Sequence, residues 1–93
     1  MGSVRKKRIA VLVRDRQAEA LRMAVGLTLA DDEVSVFVMD RDLEENETNA
    51  LNQEMLADLG VTIWSNKPDI ALKYMATEEI AVSLAGFDTV IPY

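Results

Sequence analysis

The chain contains no cysteine and no histidine. The first absence excludes disulfides, thiolate nucleophiles, persulfide carriage and thiolate metal sites. The second removes the commonest general base and the commonest metal ligand. Any chemistry has to come from Asp, Glu, Lys, Arg, Ser, Thr or Tyr, and no catalytic residue, metal site or cofactor is assigned. Proline and glycine are scarce, two and four in 93 residues, so no linker rich in either divides the chain. Long apolar runs are also missing: a bilayer span needs about 20 residues. No secretory signal is visible, so a cytoplasmic protein without membrane contact is expected. Positive charge is in deficit, with 10 Lys and Arg against 16 Asp and Glu and a net charge of −6. Nucleic-acid binding needs a basic footprint and is not expected. The one basic cluster, Arg5, Lys6, Lys7 and Arg8, precedes an apolar run and reads as a gatekeeper patch. Residues 1–7 are expected to form a flexible basic arm on a single domain spanning 1–93.

What is present is an alternation of strand-like and helix-like segments. Ile9 to Val13 is continuously apolar, the pattern of a strand buried on both faces of a parallel sheet. Ala18 to Ala30 has helix-forming residues, with Ala18, Leu21, Val25 and Leu29 in one stripe, widened by Ala20, Ala24 and Leu27. Gly26, inside that helix, reads as a point of close packing against the sheet. Asp31 and Asp32 end the helix. Val34 to Met39 is a second strand. An acidic stretch then leads into a helix over Ala50 to Leu59, with Leu51, Met55 and Leu59 at intervals of four, and Gly60 stops it. Val61 to Trp64 is a third strand, Ser65 to Asp69 a loop, and Ile70 to Met75 a short helical turn. Thr77 reads as an N-cap, with Ile80 and Leu84 facing inward. Phe87 to Ile91 is a last strand. The five methionines read as core filler. Trp64 and Tyr93 read as core or interface packing.

This order implies an α/β fold, a single three-layer domain with a short parallel sheet built from right-handed crossovers. The expected strand order is 2-1-3-4, with the first helix on one face and the other two on the opposite face. One face is then under-covered, which favours self-association. The ligand crevice of such a sheet lies at the carboxyl ends of the strands where the order reverses, here between the first and third. That places Arg14, Asp15 and Arg16 opposite Ser65 and Asn66, with Asp40 and Arg41 on the flank. The first loop lacks the glycines of a dinucleotide or phosphate cradle. Arg14 and Arg16 could still hold a small anion, although an Arg-Asp-Arg run also suits a salt-bridged turn. Asp15 and Asp40 could form a carboxylate pair, but nothing assembles a nucleophile, base and oxyanion hole around them.

Ala20-Leu21-Arg22-Met23-Ala24-Val25-Gly26-Leu27, the strand ending Phe37-Val38-Met39-Asp40, Leu59-Gly60-Val61 and the short strand Asp88-Thr89-Val90-Ile91 resemble the DsrE/DsrF/DsrH-like family over about Ile9 to Ile91. The resemblance implies a flavodoxin-like or Rossmann-like fold and assembly into homo-oligomers or with related DsrE-like subunits. It also implies sulfur relay through a cysteine after the third strand. The matching stretch here is Ser65-Asn66-Lys67, and a seryl oxygen forms no persulfide. The expectation is therefore a non-catalytic DsrE-like subunit acting through oligomerisation or partner binding. The alternative is a small-anion or small-molecule binding protein using the crevice.

Overall fold

The computed structural model describes residues 7–68 and 72–93. The expected basic arm therefore lies, apart from Lys7, outside the described residues. The elements are β1 (Arg8–Val13), α1 (Gln17–Leu29), β2 (Glu33–Val38), α2 (Glu47–Asp58), β3 (Ile63–Ser65), β4 (Lys73–Tyr74), α3 (Thr77–Leu84) and β5 (Thr89–Pro92). All five strands run parallel in one sheet, in the order β4-β3-β2-β1-β5. The apolar run of β1 is an inner strand as expected, although its neighbours are β2 and β5. Ile9, Val11 and Val13 face one layer, and Ala10 and Leu12 face the other.

The expected order 2-1-3-4 is corrected. The third strand pairs with β2, in the register Val36 to Ile63 and Phe37 to Trp64, and β5 takes the place beside β1. The chain moves in one direction through β1, β2 and β3, so both crossover helices lie on the same face. There α1 packs against α2 over Val11, Val13, Val36 and Val38. The crossover through α3 then returns across the other face to β5. One face does carry a single helix, but that helix is α3, whose Ile80 packs with Ala10, Phe37 and Met39. Phe37 is fully buried there and meets Phe87 edge to face at 5.9 Å. Both orders are compatible with the right-handed crossover rule, and they differ in which helices lie side by side.

Local departures follow from the same packing. Lys73–Tyr74 is a two-residue strand pairing with β3, where a helical turn was expected; Ile70 and Ala71 lie outside the described residues. Thr77 is the first residue of α3, and Ala76 holds the N-cap position. Within α1, Ala20 and Ala24 join Leu21 and Val25 in the core, whereas Leu29 is 66% exposed and Ala18 is exposed as well. Small alanines let α1 approach the sheet, which rotates the expected stripe outward at its ends. Met39 is buried, but Met23 and Met55 are on the surface.

Two helix ends show backbone closure. Gly60 sits at φ 80°, with Gly60 N–H donating to the Ala57 carbonyl and Val61 N–H to the Leu56 carbonyl. This paired pattern closes a helix through a left-handed residue. α1 ends the same way with Asp31 at φ 74°, Asp31 N–H bonding to Thr28 and Asp32 N–H to Leu27. The close packing expected at Gly26 is corrected, since a Cβ there would meet no atom within 4 Å. Gly26→Ala is therefore expected to stabilise the fold by about 0.5–1 kcal/mol through helix propensity. Gly60→Ala should destabilise it by about 1 kcal/mol, because an L side chain is strained at positive φ. Chemical denaturation of both variants measures the opposite signs.

Candidate functional site at the carboxyl ends of the strands

The carboxyl ends of β1, β2 and β3 do converge, and most of the expected residues meet there. They meet as partners of one another. β1 runs into Arg14, whose Nε lies 3.5 Å from Asp40 Oδ2 at the end of β2. Arg41 Nη2 lies 2.9 Å from Asp15 Oδ1. Lys67 Nζ lies 3.6 Å from Asp42 Oδ2. Arg16 turns away from the group, pairing with Glu19 and covering the Tyr93 ring at 5.5 Å from its centroid. Exposed pairs of this kind contribute little individually, but each occupies the cation that an anion would need.

Asp40 organises the cluster. It adopts φ 66°, a left-handed conformation that aspartate tolerates better than most residues. Asp40 N–H donates to Asn66 Oδ1 at 2.7 Å, and Asn66 Nδ2 donates to Asp40 Oδ1 at 2.8 Å and to Thr77 Oγ1 at 3.0 Å. One asparagine thus ties the end of β2 to the start of α3. The hydrogen bond from Asn66, followed by Arg14 and Arg41, holds the Asp40 carboxyl below the usual aspartate range. Ser65, expected on the crevice wall, is buried at 1% exposure, and its Oγ accepts from Lys67 N–H at 3.0 Å. It closes a turn and presents no hydroxyl to solvent.

The expected crevice between the first and third strands is also corrected, because β2 lies between them. The order reverses between β1 and β5. At that point the Tyr93 main-chain oxygen accepts from Arg14 N–H at 3.1 Å and Asp15 N–H at 3.3 Å. The amides that would greet a ligand at the switch point are therefore engaged by the chain itself. Beside them, at the N-terminus of α1, an open hollow of about 330 Å³ is lined in part by Asp15, Glu19 and Glu44, with Arg16 as the one cation. Three carboxylates against one guanidinium make it unsuited to an anion.

Sequence reasoning missed Gln17. This first residue of α1 is buried, and its amide is bonded on both sides. Nε2 donates to the Arg14 carbonyl at 3.3 Å and the Asp42 carbonyl at 3.0 Å. Oε1 accepts from Glu44 N–H at 2.9 Å and Asn49 Nδ2 at 3.3 Å. Gln17 therefore binds the loop before α2, and α2 itself, to the start of α1. The available signal was a neutral amide among charged neighbours at a helix start, the position where side chains satisfy loop backbone. Asn46, N-capping α2 by accepting from Asn49 N–H at 2.8 Å, was legible in the same way.

No family model, curated protein or solved structure matches this chain. The DsrE-like resemblance therefore rests on the sequence motifs alone.

Two outcomes follow from this geometry. Gln17→Leu is expected to destabilise by roughly 2–3 kcal/mol, because it leaves buried loop groups without partners; urea denaturation measures it. The second concerns acid. The lowered Asp40 pKa means that the folded state binds fewer protons than the unfolded state as pH falls through the aspartate range. The stabilisation is complete above the ordinary aspartate value and is lost as pH drops through the lowered folded value. The stability gap between the native chain and Asn66→Ala should therefore shrink with acidification. The Asp40 carboxyl, followed by NMR, should titrate higher in that variant.

Proposed function

We propose that the chain is a non-catalytic, DsrE-like subunit of the cytoplasm that acts through oligomerisation or partner binding. The observation that supports this most is the α3 face of the sheet. An eight-residue helix is the only helix described over it. Val90 is paired in register with Ala10 and so faces this layer, yet it remains 38% exposed. Val82, on the outer side of α3, is 76% exposed. Burying such surface is favourable by about 25 cal/mol per Å². Among the described residues no helix is long and apolar enough to cross a membrane.

The small-anion alternative is less well supported. An anion at the strand ends would have to displace Asp40 from Arg14 or Asp15 from Arg41. Sulfur relay of the persulfide kind has no thiol to use. The interaction reading is tested by sedimentation velocity across a concentration series. A dimer or trimer that dissociates in Val82→Glu is the expected result. A monomer at hundreds of micromolar would remove the oligomerisation arm of the proposal.

A further inference from the structure

α2 buries two asparagines and leaves part of its apolar surface outside. Its buried residues are Asn49, Asn52 and Leu56. Leu56 is the one large apolar residue among them, whereas Leu51 at 58%, Met55 at 38% and Leu59, at the helix C-cap, at 38% exposure face solvent. At about 100° per residue these three follow one another along a single outer stripe. Leu51 lies about 160° around the helix from Asn49. The rotation is held at its N-terminal end, where Asn49 Nδ2 donates to Gln17 Oε1 and to the Glu44 carbonyl, the latter at 3.0 Å. The exposed stripe is therefore a fixed feature of the fold.

Charge on the same face indicates what fits it. Glu47, Glu54 and Asp58 lie within about 60° of Leu51, all on the same side of it. Residues 42–58 include no lysine or arginine. Among the described residues none of these three carboxylates is ion-paired, whereas Asp15, Asp40 and Asp42 are. A second copy fits poorly. Two α2 helices packed antiparallel about a two-fold axis, in the register centred on the stripe, would set Glu47 beside the other copy's Asp58 and bring the two acidic flanks together on one side. The net charge of −6 on each copy adds to that repulsion. An anionic membrane is disfavoured by the same sign.

We infer that the outer face of α2 docks a basic amphipathic helix of a partner protein. Apolar side chains of the partner pack on Leu51, Met55 and Leu59, and its Lys or Arg residues lie along Glu47, Glu54 and Asp58. The chemistry is helix-on-helix recognition with a charged rim. The inference rests on reading the chain as an interaction subunit, and adds a surface separate from the α3 face.

The probe is a synthetic Leu/Lys peptide of about 18 residues with apolar positions at helical spacing. A peptide of the same composition without that spacing, and a Leu/Glu counterpart, serve as controls. Binding to the whole ¹⁵N-labelled chain is mapped by NMR. Shifts confined to residues 47–59 are expected, together with weakening by salt. Leu51→Gln combined with Met55→Gln should lower affinity at least about tenfold. Glu47→Gln, Glu54→Gln and Asp58→Asn together should weaken binding and flatten its salt dependence. All these positions are exposed, and unchanged spectra elsewhere confirm that each variant folds. Shifts scattered over the surface, equal binding of the unpatterned peptide, or affinity unchanged in L51Q/M55Q would overturn the inference. So would an oligomer of the chain alone that dissolves in L51Q/M55Q, which would assign the stripe to a second copy while leaving the interaction reading intact.

Discussion

The hydrogen bonds of Gln17 hold the architecture together at one point. Its amide joins the end of β1, the loop after β2 and the first turn of α2. A buried amide with both ends bonded tolerates little displacement, since each lost partner leaves a desolvated polar group. The anchor lies between α1 and α2, which pack together on the face that both crossovers share. The outward turn of Leu51 and Met55 goes with that anchor, because Asn49, on the opposite side of α2, is bonded to Gln17.

The strand ends are closed by a second, separate set of polar contacts. In many open parallel sheets this edge is an open mouth for ligands. Here it is closed by side chains of opposite sign and by the Tyr93 main-chain oxygen, which takes two loop amides. Asp40 stands in a left-handed conformation with its backbone and its carboxylate both held by Asn66. The arrangement ties β2 to α3 across the top of the sheet. Its polar groups satisfy each other, so this edge reads as a fastening.

Apolar surface has been left elsewhere. The α3 layer leaves Val82 and Val90 exposed, and α2 presents a leucine–methionine stripe beside carboxylates. Scattered exposed apolar residues are ordinary on any protein. An aligned stripe on a helix whose asparagines are buried is different, because a rotation of the helix would bury it at the expense of the Gln17 network. The two surfaces lie on opposite layers of the sheet, α2 with α1 on one and α3 on the other.

Much of the fold could be read from residue order. The continuous apolar run of β1, the helix formers of α1 and the stop at Gly60 each depend on local propensity and backbone geometry. Those terms act within a few residues, so the sequence by itself determined the α/β alternation, the parallel sheet and the excluded cysteine and histidine chemistry. It also placed Arg14, Asp15, Asp40, Arg41 and Asn66 at the strand ends. Strand order was beyond it, because 2-1-3-4 and the observed order need the same right-handed crossovers and the same apolar strands. The facing of α2 was beyond it too. A stripe of Leu51, Met55 and Leu59 reads as an inner face until Asn49 is seen bonded to Gln17, 32 residues away in the chain. Tertiary structure alone decided those points, because long-range hydrogen bonds and helix packing outweighed a local hydrophobic pattern.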